Sequence, residues 1–252
     1  MQTVVETPGT ALVTGAAQRI GRAIALDLAR SGWRVAVHFG ASQDQANETV
    51  TEIRRSGGTA EAIAADLADA TAATKLVAEA ARRLGPVTCL VNNASVFLDD
   101  RIETLEPGLW DKQLDVNLRA PVLLAQQFAR ALPSGVRGNI VNIIDQRVLR
   151  PTPEYFSYAV SKAGLWAATR MMAQAFAPRI RVNGIGPGPV LKNVFQSDAD
   201  FAAEAGSTLL GHGTSPEEIA AAVRFLLDQP AITGQLIVID AGQHLRWEDP
   251  GR

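Results

Sequence analysis

Residues 11–32, ALVTGAAQRIGRAIALDLARSG, decide the fold class, because a β-type run passes through a glycine-containing turn into an amphipathic helix. Gly15 lets the backbone turn sharply, and Gly21 lets the helix pack close to the strand. The free N–H groups of the helix N-terminus can hold a pyrophosphate. An ordinary turn is the simpler alternative, but the position at the start of a βαβ unit favours dinucleotide binding.

The same alternation of β-type and helical stretches continues along the chain. The β-type runs are 11–14, 34–39, 59–66, 88–93, 138–145, 179–188 and 235–240. Such alternation predicts a single Rossmann-type α/β domain over 1–252, a doubly wound parallel sheet of about seven strands with helices on both faces. We expect a cofactor-binding part at about 8–145 and a catalytic and substrate-loop part at about 145–242. Only 188–214 and the tail after Gly242 look irregular.

Composition narrows the possible partners. The 24 basic and 26 acidic residues give a net charge of -2 without a dense basic run, which argues against nucleic acid. No run of about 18 apolar residues predicts a membrane span, and Met1 to Gly9 lacks the features of a signal peptide, so we expect a cytoplasmic protein. Cys89 lies in an apolar run typical of core packing. His38, His212 and His244 are scattered, so no metal site is predicted.

Tyr158 and Lys162 are four residues apart in a stretch typical of a long helix, so both side chains project from one face. A free tyrosine has a pKa of about 10, and a neighbouring cation favours the phenolate. The pair can therefore exchange a proton beside a hydride transfer. The alternative is that Tyr158 and Lys162 are two unrelated residues on a helix surface. A cofactor site upstream favours the catalytic interpretation.

Several motifs together resemble the short-chain dehydrogenase/reductase family over nearly the whole chain. They are Thr14-Gly15 to Gly21, Asp66-Leu67, Asn92-Asn93-Ala94, Asn117, Tyr158-x-x-x-Lys162 and Gly186-Pro187-Gly188.

The resemblance implies roles for individual residues. Asp66 and Leu67 would flank the adenine, and Asn93 and Ala94 would line the ribose side of the cofactor. Lys162 would hold the nicotinamide ribose while lowering the Tyr158 pKa, and Asn117 would belong to a proton relay. The complete set of expected cofactor contacts is Gly15, Arg19, Ile20, Gly21, His38, Ser42, Asp66, Leu67, Asn93, Ala94, Tyr158, Lys162, Pro187 and Gly188. The family also implies a homotetramer.

Two departures from the common family pattern are similar to pteridine reductases and related dihydromonapterin/dihydrofolate reductases. Arg19 replaces a middle glycine, and Asp145 replaces a catalytic serine thirteen residues before Tyr158. Phe97 falls where that subgroup stacks an aromatic ring on the pterin. Separately, Phe97 could be a loop aromatic packed on the core and Asp145 a solvated carboxylate, but neither alternative explains both residues together with Arg19. The expected substrate contacts are Ser95, Phe97, Asp145 and Tyr158.

The end of the second β-type run bears on cofactor choice. An NAD site places a carboxylate about 20 residues after the glycine turn, and none occurs here before Asp44. NADP(H) is therefore favoured. Because the subgroup usually has a basic residue where this chain has Ala41, the 2′-phosphate is expected to rest on Arg19, Ser42 and His38.

The sequence thus predicts an NADPH-dependent reductase of a C=N bond in a pterin or dihydrofolate-like substrate, with Asp145, Tyr158, Lys162 and Asn117 as catalytic residues. A carbonyl reductase of the same family acting on a ketone or alcohol is the alternative. A non-catalytic nucleotide-binding protein of the same fold is the alternative from another class.

Overall fold

A computed structural model of the protein describes residues 8–193 and 195–246. These residues form one seven-stranded sheet in which all pairings are parallel, in the order β3-β2-β1-β4-β5-β6-β7. The strands are β1 Thr10–Val13, β2 Arg34–Phe39, β3 Ala60–Ala64, β4 Val87–Asn92, β5 Gly138–Ile143, β6 Ile180–Pro187 and β7 Leu236–Ile239. The predicted doubly wound fold is confirmed.

Helices cover both faces of this sheet. They are α1 Arg19–Arg30, α2 Gln43–Arg55, α3 Ala70–Leu84, α4 Pro107–Leu114, α5 Ala120–Ala131, α6 Phe156–Phe176, α7 Asp198–Gly206 and α8 Pro216–Asp228. The helices α1, α2 and α8 pack on one face, and α3, α5 and α6 pack on the other. Each face therefore has its own apolar core.

The central strand β1 shows why this arrangement is stable. All four of its residues are buried, since successive side chains of a strand point to opposite faces and both faces are covered. Ala11 and Val13 enter the core beneath α1, while Leu12 enters the other core. Cys89 on β4 is fully buried as predicted, and burial raises the pKa of its thiol to about 12.

The sheet order also fixes where a ligand can bind. The chain runs from β1 outward to β2 and β3, then returns to β4 on the other side of β1. Connections after β1 and β4 therefore diverge and leave a crevice at the carboxyl edge, the usual ligand site of open α/β sheets.

Two stretches have unexpected local structure. Between α4 and α5 the helical chain passes through a π-helical turn, Asp115–Arg119. Pro121 explains this turn, because it lacks the N–H that would bond the Asn117 carbonyl in a regular α-helix. The expected irregular region 188–214 contains helix α7, which begins with a capping box between Ser197 and Asp200.

Within residues 8–193 and 195–246, no helix combines the length and the apolar character that a membrane crossing requires. The same residues bring no three His, Cys, Asp or Glu side chains together as a metal site.

Candidate active site

The turn between β1 and α1 requires glycine at two positions. Gly15 has a φ of +62°, and a Cβ at Gly21 would lie 2.2 Å from the Gly15 carbonyl oxygen. The Asn93 side chain donates to the carbonyl oxygens of Thr14 (2.8 Å) and Gly15 (3.1 Å). Thr14 Oγ1 in turn accepts from the backbone N–H groups of Asn93 and Ala94, at 2.9 and 3.0 Å. The turn is thus tied to the end of β4, with the N-terminus of α1 open to a ligand.

A cleft of about 390 Å³ lies along this turn, within the size range of ligand pockets. Its lining includes ten residues that the sequence predicted for cofactor or substrate, namely Gly15, Arg19, Ile20, Gly21, His38, Asp66, Leu67, Asn93, Ala94 and Ser95. Ser42 lies just beyond, at the N-terminus of α2, and its side chain makes no capping hydrogen bond. Pro187 and Gly188 lie at the end of β6, beyond β4 and β5 from the turn. The cleft's elongated lining along several strand ends fits a dinucleotide.

His38 has a different role from the predicted phosphate contact. Its Nδ1 accepts the Gly15 N–H at 3.0 Å, and its Nε2 lies 3.0 Å from the Ala65 carbonyl oxygen, so the neutral ring satisfies both groups. Burial lowers the pKa of His38 to about 4. With both nitrogens bonded to backbone and no charge near neutral pH, His38 positions the glycine turn instead of holding an anion.

Arg19 also departs from its predicted place. Its guanidinium donates to the carbonyl oxygens of Leu191 (3.1 Å) and Lys192 (3.0 Å) in the segment after β6. In the sheet order, β6 and β2 lie on opposite sides of β1. A 2′-phosphate is bound near the end of β2, so this geometry argues against the predicted contact. Arg19 instead links the glycine turn to the segment after β6.

A second group of side chains meets at the end of β5, formed by Tyr158, Asp145 and Lys162. Tyr158 Oη donates to Asp145 Oδ2 at 2.8 Å, and Asp145 Oδ1 accepts the Arg147 N–H at 2.8 Å. Lys162 Nζ donates to the Ile143 carbonyl oxygen at 2.9 Å and lies 5.6 Å from the Tyr158 ring centroid. Because α6 places Tyr158 and Lys162 one turn apart against the end of β5, Lys162 reaches the last residue of that strand and Tyr158 reaches Asp145 just after it.

The ionisation of this group differs from the sequence prediction. Burial, followed by the Asp145 carboxylate, raises the pKa of Tyr158 well above its ordinary value, so the predicted lowering by Lys162 is wrong. Burial also raises the pKa of Asp145, and burial lowers the pKa of Lys162 to about 8. Tyr158 therefore keeps its proton at neutral pH, which suits a proton donor in the reductive direction.

Asn117 is buried in the π-helical turn, and its side chain is fully engaged. Its Nδ2 donates to the Val96 carbonyl oxygen (2.8 Å) and to Ser161 Oγ (3.1 Å). Its Oδ1 accepts from the Val96 N–H (2.8 Å) and from Ser95 Oγ (3.2 Å). These bonds leave the side chain no free donor or acceptor, which favours positioning of the 95–97 segment over direct proton relay.

An aromatic cluster stands beside the Tyr158 hydroxyl. The Phe97 ring centroid lies 4.7 Å from that of Tyr158, edge to face, and 4.4 Å from that of Tyr155. The half-exposed Phe195 ring lies 6.4 Å from Phe97. Phe97 thus contacts the Tyr158 ring and is only partly buried, so part of its ring is accessible to a ligand.

A buried carboxylate anchors the start of α6. Asp100 Oδ1 accepts the Ser157 N–H at 3.0 Å, and Asp100 Oδ2 accepts from Ser157 Oγ. A carboxylate at a helix N-terminus also interacts favourably with the helix dipole. Asp100 therefore fixes the helical turn that carries Tyr158.

Sequence reasoning missed Tyr155, Arg147, Phe195 and Asp100. Tyr155 lies just before α6 in a left-handed conformation, so helix periodicity does not predict where its ring points. Phe195 and Asp100 reach the site from distant segments, and no local sequence pattern predicts such contacts.

A family model described as Enoyl-(Acyl carrier protein) reductase matches residues 15–244. Among curated relatives, the 3-oxoacyl-[acyl-carrier-protein] reductase FabG of Staphylococcus aureus is 32% identical over 241 residues, covering 94% of this chain and 98% of its own. FolM alternative dihydrofolate reductase 1 of Brucella canis, crystallised with NADP, is 45% identical with a TM-score of 0.94, and the match covers 97% of each chain. A blue fluorescent protein from a metagenomic library, crystallised with NADPH, is 31% identical with a TM-score of 0.87, covering 93% of this chain and 97% of its own.

Proposed function

Because this chain belongs to the short-chain dehydrogenase/reductase family, we propose that it is an NADPH-dependent reductase of a C=N bond in a pterin or dihydrofolate-like substrate. One observation carries the proposal: a partly buried aspartate, Asp145, accepts a hydrogen bond from Tyr158 beside the Phe97 ring. The likeness to the Brucella canis FolM dihydrofolate reductase supports it.

Binding of NADP(H) is supported by the similar proteins that were crystallised with NADP or NADPH. The residues around the end of β2 agree, since Gly40, Ala41 and Ser42 bring no carboxylate that would repel a 2′-phosphate. Ser42 and the N-terminus of the 13-residue helix α2 offer a hydroxyl and free N–H groups to that phosphate. When bound, the nicotinamide supplies the hydride.

The chain's own residues supply position and the proton. Phe97 stacks on the flat heterocycle, and Tyr158 Oη delivers a proton to the ring nitrogen. Asp145 hydrogen-bonds to Tyr158, and its carboxyl group can pass on a proton, since burial raises its pKa. Lys162, charged below a pH of about 8, holds the ribose hydroxyls. An aspartate suits a nitrogen-rich ring better than a serine does, because a carboxyl group can accept from ring N–H groups when ionised and release a proton when neutral, whereas a serine hydroxyl does not ionise.

Reduction of a carbonyl group is the second candidate, and the 32% identity to the Staphylococcus aureus 3-oxoacyl reductase favours it. A ketone needs only a hydroxyl to orient its oxygen, so Asp145 would be an unusual choice for this reaction.

A substrate panel separates these candidates. NADPH oxidation is followed with dihydrobiopterin, dihydrofolate, dihydromonapterin, acetoacetyl thioesters and simple ketones. We expect the highest kcat/KM with a dihydropterin. Turnover of the keto compounds alone would establish the carbonyl reductase instead, and no oxidation with any substrate would indicate a non-catalytic nucleotide-binding protein.

Arg19 gives a first prediction. Because its guanidinium bonds the loop carbonyls of Leu191 and Lys192, Arg19→Gln is expected to raise the KM for substrate several-fold while leaving the preference for NADPH over NADH unchanged. Steady-state kinetics with both cofactors measure this. The matched control is Arg22→Gln, one turn away on α1, whose guanidinium bonds Glu52 instead. If Arg19→Gln instead abolishes the preference for NADPH, the result would support the predicted contact between Arg19 and the 2′-phosphate.

Lys162 gives a prediction on pH. Burial lowers its pKa to about 8, so the free protein carries the ammonium group below that pH and loses it above. NADPH affinity is expected to fall as the pH rises through this value, because the neutral amine holds ribose hydroxyls less well. Fluorescence titration between about pH 6.5 and 9.5 measures the Kd. Lys162→Met should bind weakly but show no such fall; an identical fall in both proteins would contradict the assignment.

A homotetramer remains part of the proposal. It is supported by exposed apolar side chains on two of the longer helices, Val122 on α5 and Val160 and Met171 on α6. The cytoplasmic location remains a prediction from sequence.

A further inference from the structure

Arg147 is a cation at the edge of the site, and none of the proposed catalytic steps uses its side chain. It is only partly exposed, in the short 3-10 turn Gln146–Val148 that follows Asp145. Throughout residues 8–193 and 195–246, no carboxylate lies within ion-pair distance of its guanidinium. Its one side-chain hydrogen bond, to Thr152 Oγ1, is long at 3.5 Å. A half-buried guanidinium with so little compensation is available to an anion.

The position of Arg147 is set by an aromatic row that starts at the proton donor. From Tyr158 the row passes to Phe97 at 4.7 Å and to Tyr155 at 4.4 Å. The Arg147 guanidinium lies over the Tyr155 ring, 5.2 Å from its centroid. A flat substrate stacked on Phe97 therefore has a path along Tyr155 that ends at a positive charge.

Tyr155 is held in this row by an unusual backbone. Its φ of +54° lies in the left-handed region, which a bulky residue rarely adopts. This conformation immediately precedes α6 and directs the ring onto Phe97. Such strain persists where a side-chain position matters to function.

We propose that Arg147 is a specificity-determining residue that binds a carboxylate at the far end of the substrate, beyond the ring that is reduced. The inference rests on the proposed function and deepens it: the substrate class is a dihydropterin with an aromatic linker and an anionic tail, as in dihydrofolate. Tyr155 stacks on the linker, and the planar guanidinium pairs with the carboxylate through two parallel N–H···O bonds.

The acidic residues around Tyr155 are compatible with an anionic ligand. Glu154 is paired with Arg101 at 3.1 Å. Glu204 accepts from Gln196 (2.6 Å) and Gln243 (3.0 Å). Asp99 is exposed, where solvent screens its charge. Arg147 is thus the cation among the charges that surround Tyr155, and its guanidinium lies over the ring.

The experiment compares two substrates in three proteins. The parent, Arg147→Gln and the matched control Arg150→Gln, an exposed arginine three residues away, are each assayed with dihydrofolate and dihydrobiopterin at several salt concentrations. Dihydrobiopterin has the same ring but a neutral tail. Its kcat/KM therefore measures any effect that the Arg147 substitution has through Asp145 or through folding. Only the ratio of the two kcat/KM values reports binding of the anionic tail.

We expect Arg147→Gln to lower the dihydrofolate to dihydrobiopterin ratio by about tenfold or more, mainly through the KM for dihydrofolate. The parent ratio should fall with added salt, and Arg150→Gln should keep it. If the parent reduces both substrates and Arg147→Gln leaves the ratio within about twofold, this inference is overturned while the proposed function stands. If the parent reduces neither, the proposed function fails and takes this inference with it.

Discussion

Tyr158→Phe is expected to lower kcat by roughly 10²–10⁴-fold, the usual contribution of a positioned acid-base group. The substitution removes the hydroxyl that donates to Asp145 and keeps the ring that packs edge to face on Phe97. Affinity for NADPH should change little, because Lys162 is held by the Ile143 carbonyl and not by Tyr158. Turnover assays with a dihydropterin, together with fluorescence titration of NADPH, measure the two effects separately.

Tyr155→Phe is the matched control for this experiment. It makes the same chemical change three residues earlier in the same aromatic cluster, where the hydroxyl makes no hydrogen bond to any described residue and the ring contact with Phe97 is retained. Its loss of kcat should be far smaller. Equal losses in the two variants would show that the cluster is sensitive to any change, and a near-parental Tyr158→Phe would remove Tyr158 from the reaction.

Asp145→Ser is expected to lower kcat/KM for a dihydropterin by roughly 10²-fold, because the carboxyl group that shares a proton with Tyr158 is lost. A serine hydroxyl still suits a carbonyl oxygen, so any ketone activity should be kept. The pH profile provides a second readout. Since the Asp145 carboxylate contributes to the raised pKa of Tyr158, its removal should move the alkaline limb of the profile to lower pH.

Asp145→Asn tests whether the shape of the side chain is sufficient without its ionisable proton. The amide keeps the shape of the side chain, but its single oxygen can replace only one of the two acceptors that serve Tyr158 Oη and the Arg147 N–H, and it cannot carry a proton. Pterin reduction should fall in this variant as well. An Asp145→Ser protein that reduces ketones better and pterins equally well would favour the carbonyl reductase.

The fold was predictable because its signals are local. Each strand is a short apolar run and each helix an amphipathic stretch, and the glycine turn at Gly15 and Gly21 identifies the first βαβ unit. The seven strands and their parallel pairing follow from that alternation. Helix α7 was missed although the capping pair Ser197 and Asp200 was visible in the sequence.

The catalytic pair was predictable for a similar reason. Four-residue spacing on a helix places Tyr158 and Lys162 on one face whatever the helix packs against. Asp145 was identified only through a family resemblance, since its distance from Tyr158 depends on how β5 and α6 meet. That contact is a 2.8 Å hydrogen bond between side chains thirteen residues apart.

By itself, the sequence determined the sheet, the glycine turn and the helix face that carries Tyr158 and Lys162, because these depend on periodicity and on neighbouring residues. The ionisation and the hydrogen bonding of the site, in contrast, depend on tertiary contacts. Ionisation depends on burial and on charges from other segments, which is why the Tyr158 pKa is raised and not lowered. Likewise, Arg19 donates to the carbonyls of Leu191 and Lys192, which lie 172 and 173 residues further along the chain. Both ring nitrogens of His38 are bonded to backbone groups, the Gly15 N–H and the Ala65 carbonyl. Hydrogen bonds between distant segments assign such side chains their partners, and no local pattern in the chain records them.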